Sequence, residues 1–174
     1  MQQHHGHQRQ GQQSRPGGQD HGRDGRPRGR EPEANPLLKP PSERLVYFKG
    51  TDQRGRPIPR PEMVDQEAET WARTFGCIPA SQLRRFYSAV TSLKRQIELD
   101  PSFPDEALKA RLALLKAHAA YAQKRVKNMP EEFVIFFVRH ADAVQNRTDF
   151  LRGFAPHFEA VVAYHKIYEI RERS

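Results

Sequence analysis

The stretch FEAVVAYHK, residues 158–166, ends in a histidine and a lysine, side-chain types that serve in proton transfer and anion binding. At about 100° per residue, Phe150, Leu151, Phe154, Phe158, Val161, Val162, His165 and Tyr168 share one helix face. His165 is thus centred on an apolar stripe and reads as a core or subunit-contact residue whose ring nitrogens find internal partners. Lys166 falls with Arg152 and Glu159 on the opposite, solvent side.

Other candidates for chemistry are weaker. Cys77 is the single cysteine, so it forms no internal disulfide, and no paired Cys/His spacing marks a zinc site. It stands between a helix end and Ile-Pro, and reads as a small buried or half-buried thiol. RHAD (139–142) invites comparison with the R-H-G motif of phosphatases, but it follows a helical run and lacks that motif's strand and glycine-flanked loop. His4, His5 and His7 lie in a polar tail and read as solvated. There is no glycine-rich phosphate loop, H-E-x-x-H or calcium loop. Catalytic residues, metal and cofactor are all expected to be absent.

Basic surfaces remain. Lys109, Lys116 and Lys127 project from one flank of the third helical segment, while Arg111, His118 and Arg125, each seven apart, line the other. On the second segment Arg84 and Arg95 share an outward stripe with Ser88, and Arg85 lies beside it. Lys94 points back towards the apolar face, where it snorkels. Cations spaced along an elongated surface suit phosphate binding, although such stripes also occur as plain solvated faces.

The elements that must position these residues are helical. From Met63 onward Val64, Ala68, Trp71, Ala72 and Phe75 recur at helix spacing until GCIP (76–79). Ser81 is the expected N-cap of the next helix, whose face is Leu83, Phe86, Tyr87, Val90, Leu93 and Ile97. DPSFPDE (100–106) opens a third, with Leu108, Leu112, Leu115, Ala119, Ala122 and Val126 as a near-heptad seam. NMPEE (128–132) opens a fourth, FVIFFVRHADAVQ, apolar nearly all round at its start and therefore central. A fifth runs from about Thr148 to Arg171, with a kink or break expected near Gly153 and Pro156.

Residues 62–174 are accordingly expected to form an all-α bundle of about five helices, with negligible β-signal after residue 50. Residues 37–61 form a proline-rich extended arm or linker, in which RLVYFKG (44–50) is an apolar island able to add a strand or pack on the domain. Residues 1–36 contain no Leu, Ile, Val, Phe, Tyr or Trp and are expected to be disordered. Their GRDGRPRGR (22–30) suits loose contact with nucleic acid and a solubilising role equally. Charge is uneven: residues 1–60 carry 12 Lys+Arg against 6 Asp+Glu, and 61–174 carry 17 against 15. Without an apolar leader or a run of about 18 apolar residues, a cytoplasmic protein is expected.

WARTF, SQLRRFYSAV, LALLKAHAAYAQKR and FEAVVAYHK, in that order and spacing over about residues 63–170, resemble the small helical subunit of type III-A (Csm-type) CRISPR effector complexes. The resemblance implies a non-catalytic five-helix subunit acting in antiviral defence. It implies several copies stacked head to tail along the crRNA–target RNA duplex, opposite a filament of backbone subunits that would cut the target. The family's basic positions fall on Arg84, Arg85, Lys116 and Arg125, and a second lysine of the pattern is His118 here. Histidine is mostly neutral at pH 7, so that substitution removes a permanent cation. Where the family has proline this chain has Ala117, so the third helix is expected to run straighter. Arg84, Arg85, Arg95, Lys116, Lys124, Arg125 and Lys127 are the expected RNA contacts. Two rival readings stand beside this one. The first is a helical protein–protein scaffold without direct RNA contact. The second is an RNase using His118 or His165, which would need a second titratable group nearby.

Overall fold

The computed structural model describes residues 42–169, all within one compact unit spanning 34–174. The expected disorder of residues 1–36, His4, His5, His7 and the Arg/Gly run lie outside the described residues.

The apolar island of the arm does become a strand. β1 (Phe48–Thr51) pairs antiparallel with β2 (Pro57–Pro59), Phe48 opposite Pro59 and Thr51 opposite Pro57. The second strand corrects the expectation of no β-structure after residue 50. In a two-stranded ribbon both strands are edges, where a proline's missing N–H is tolerated. Asp52 closes the turn by accepting the backbone N–H groups of Arg54 and Arg56, both at 2.9 Å. Gly55 supplies the left-handed step at φ 72°.

A 3₁₀ turn at Pro61–Val64 leads into α1 (Gln66–Thr74), which a second 3₁₀ turn, Phe75–Cys77, ends. Ala68, Ala72 and Phe75 are buried as expected, but Val64 is 45% exposed. Met63, buried from within the first 3₁₀ turn, takes the core position instead, because that turn shifts the register ahead of α1. Cys77 is exposed, not semi-buried: the second 3₁₀ turn presses Gly76 against the Tyr168 carbonyl and sends the next side chain outward.

Three long helices follow: α2 (Ala80–Leu99), α3 (Asp105–Arg125) and α4 (Glu131–Ala143). Each begins directly after a proline N-cap, Pro79, Pro104 or Pro130. Ser81 therefore lies inside the first turn of α2 and makes no capping bond, contrary to expectation. The Pro79 carbonyl accepts from Gln82 and Leu83 N–H at 2.9 and 3.2 Å. Acidic pairs at the starts of α3 (Asp105, Glu106) and α4 (Glu131, Glu132) complement the positive helix N-termini.

The last segment is not broken, and the irregularity expected near Gly153 and Pro156 is a π-turn, a usual site of helix kinks. The single turn α5 (Arg147–Asp149), capped by the Asn146 side chain, runs through a π-turn (Phe150–Phe154) into α6 (Ala155–Tyr168). The Ala155 N–H donates to the Phe150 carbonyl, the wider π spacing. Pro156 then sits in the first turn of α6, where its missing N–H costs little.

α4 is the centre of the bundle, burying Phe133, Val134, Phe136, Phe137, Val138 and His140. Its rings meet those of other helices edge-on: Phe133 with Phe75 at 5.2 Å and with Phe86 at 4.9 Å, Phe137 with Phe158 at 5.5 Å. Each such pair adds about 0.5–1.5 kcal/mol beyond area burial. Phe133, Phe136, Phe154 and Phe158 are each fully buried, so this aromatic lattice forms the centre of the bundle.

Candidate nucleic-acid interface

α2 and α3 form a helical hairpin whose five-residue connection is tied by Asp100, which accepts from Ser102 N–H at 2.9 Å. Arg147 donates to the Asp100 carbonyl and, through its backbone N–H, to Asp105, fixing the hairpin's end against the last segment. Both helices bury one stripe, Leu83–Ile97 on α2 and Leu108–Ala122 on α3. The residues beside those stripes face each other across a groove.

At one end a cavity of about 240 Å³ is lined by Arg85, Ala89, Leu115, His118, Tyr121 and Arg125, among others. A second, of about 260 Å³, continues it past Ala89 and His118 to Ser92, Gln96, Arg111 and Leu114. From Gln82 to Gln96 the groove follows α2 for ~21 Å at 1.5 Å per residue. Its α2 side is small at Ala89 and Ser92, which leaves the floor open. Its α3 side offers the arginine, histidine, tyrosine and leucine side chains that repeat at three- and four-residue spacing. Arg125 lies over the Tyr121 ring, 5.9 Å from its centroid, and that ring is 64% exposed.

The seven expected contacts are divided among separate surfaces. Arg85 and Arg125 meet in the groove. Arg84 and Arg95 project from the outward face of α2, opposite its buried stripe, with Ser88. Lys116 takes the flank of α3 away from the groove and Lys124 its outer back, but Lys127 does not share that flank as expected, because α3 ends at Arg125 and the extended backbone at Val126 puts Lys127 in the following turn. Lys94 is half-buried, as expected of a snorkelling side chain. None of the seven contacts has an ion-pair partner among the described residues. Elsewhere the cations Arg56, Arg60, Arg73, Lys109 and Lys166 are neutralised by Asp52, Glu67, Glu69, Glu106 and Glu169. The α2–α3 hairpin therefore carries unpaired positive charge on its exposed faces, while Arg44, Lys49, Arg54, Arg139, Arg147 and Arg152 elsewhere also have no ion pair among the described residues.

The histidines divide the same way. His118 faces the groove and is exposed. His165 is buried, and its Nε2–H donates to the Phe75 carbonyl at 3.0 Å, which agrees with the packing reading. The spacing had not revealed a buried pair, His140 and His157, whose ring centroids are 5.0 Å apart. His157 Nδ1–H donates to the Met63 carbonyl, and His140 Nδ1 lies 2.8 Å from the Tyr47 hydroxyl. Burial holds the His140 pKa well below the usual histidine value, with His157 and Arg139 adding to the depression. Burial also lowers that of His157, against the opposing pull of the Met63 carbonyl and Glu67. Burial, and then Asp149, pushes the Tyr47 hydroxyl well up. The signals available were His140 within a run of buried phenylalanines and His157 directly before Phe158.

No described helix is long and apolar enough to cross a membrane. Compared with known proteins, residues 59–171 match the family described as Csm2 Type III-A. No curated protein and no solved structure matches the chain.

Proposed function

We propose, from the premise that this chain belongs to the Csm2 Type III-A family of small CRISPR effector subunits, that it is the non-catalytic RNA-tracking subunit of its complex. In this reading it acts in the cytoplasm in antiviral defence, several copies lying head to tail along crRNA and target RNA beside the other subunits. A guide changes with every target, so contact must ignore sequence and rest on the backbone. One observation carries the proposal: Arg85, Arg111 and Arg125 are spaced along one groove and have no described acidic partner. Arg84, Arg95, Lys116, Lys124 and Lys127 extend the positive field on the neighbouring faces and meet other stretches of RNA or neighbouring subunits.

The proposal is tested by reconstituting the effector complex with this subunit and crosslinking it to a photoreactive target RNA. Crosslinks in α2 and α3 are expected. A subunit that assembles while crosslinking only to protein would establish the scaffold reading instead.

A further inference from the structure

The groove holds more than cations, and its apolar part has no use in backbone contact. Phosphates need charge on a surface; they do not need an open floor beside an exposed aromatic ring. Tyr121 is 64% exposed, Leu114 is 48% exposed, and both lie on the groove side of α3. The exposed Tyr121 ring, with the Arg125 guanidinium over it from the next turn, is a ready stacking platform. We infer that the α2–α3 groove is a sequence-tolerant seat for one unpaired, splayed-out nucleobase. The base would stack on the Tyr121–Arg125 pair above Ala89, with a flanking phosphate held by Arg85, while Arg111, about 15 Å farther along α3, would meet the strand beyond it.

The inference rests on the RNA-tracking reading and sharpens its substrate class to single-stranded or locally unpaired RNA. Each observation bears on that choice. The cavity at Tyr121, about 240 Å³, lies below the ~300 Å³ at which drug-sized ligand sites begin, a scale that suits one planar group. Every base has a π-face, so stacking adds affinity without reading sequence, as a guide-independent subunit requires. A continuous duplex keeps its bases stacked and presents only its backbone and minor groove, so nothing in it can enter. The charge complementarity is with a polyanion: Arg85, Arg111 and Arg125 line the groove and no described carboxylate pairs with them. An acidic protein segment would meet the same charges but would leave Tyr121 and the open floor unused.

The test uses the full chain and three RNA probes: a single strand, the same strand with abasic positions, and a perfect duplex. Its variants are Tyr121→Ala, Tyr121→Phe and Ala89→Leu. Tyr121 and Ala89 are exposed, and leucine is a good helix former, so all three variants should keep the fold, which circular dichroism verifies. Tyr121→Ala should weaken single-strand binding about tenfold, and Tyr121→Phe should leave it near wild type. Ala89→Leu, which fills the floor without changing charge, should weaken it comparably. The abasic strand should bind wild type about tenfold more weakly and bind Tyr121→Ala no more weakly still. Single-strand binding indifferent to Tyr121→Ala, Ala89→Leu and abasic positions would overturn the base seat while leaving the RNA-tracking reading intact. No binding of any RNA would overturn that reading and this one with it. Unchanged RNA affinity together with altered self-association of Tyr121→Ala in sedimentation would make the groove a copy-to-copy contact.

Discussion

At the scale of single residues, the distribution of partners separates packing groups from working ones. His165 was the most conspicuous candidate for chemistry in the sequence, yet its ring nitrogen is committed to the Phe75 carbonyl inside the bundle. Replacing it with alanine removes that bond and empties its place in the core, although the Phe75 carbonyl keeps the Ile78 N–H at 2.8 Å, and should cost about 1–3 kcal/mol of stability. RNA affinity, measured where the variant is still folded, should be unchanged; lost RNA binding with full stability would make His165 an RNA contact. The buried pair His140 and His157 gives a second expectation. Both have folded-state pKa values below the unfolded value of about 6.5, so the unfolded chain binds more protons in weak acid. Their contribution is complete above about pH 6.5 and declines as the pH falls below it. The melting temperature should therefore drop between about pH 7.5 and pH 5, and Arg139, placed to repel both imidazoliums, adds to the effect. A melting temperature flat across that range would contradict the buried pair.

At the scale of elements, the helical periods were legible because each long helix buries one stripe, and Leu83–Ile97 and Leu108–Ala122 are where the spacing put them. What was not legible depended on contacts distant in sequence. Proline N-caps displaced the expected Ser81 cap, and the π-turn at Phe150–Phe154 carried a helix through Gly153 and Pro156. Nothing local announces that Tyr47 of the arm lies on Gly153, where an added Cβ would come within 2.4 Å of its ring. Gly153→Ala should therefore displace the arm and cost about 1–3 kcal/mol in chemical denaturation, without loss of α2 or α3. Unchanged stability would mean that Tyr47 is not anchored there. The candidate site was half legible. The helical spacing puts Arg111, His118 and Arg125 on one flank of α3, but only the fold shows that Arg85 of α2 lines the same groove and that Arg84 does not.

At the scale of the whole molecule, the net charge of +8 is shared between the bundle and the residues before it. Residues 1–36 hold six arginines against four carboxylates, so their removal should weaken RNA binding through lost charge while the bundle's melting temperature stays the same. Undiminished affinity would make them bystanders. Residues 61–174 carry only 17 Lys+Arg against 15 Asp+Glu, so a single copy binds weakly, and adjoining copies on one strand gain by effective concentration. The central claim is that the groove's arginines meet RNA. It is tested most directly by titrating the full chain with two single-stranded RNAs of unrelated sequence across a series of salt concentrations, beside the Arg85→Gln/Arg125→Gln variant. Equal affinity for the two RNAs is expected, with a steep fall in salt whose log–log slope shrinks by about 1.4 when the two cations are removed. A variant with the wild-type slope and affinity would contradict the account.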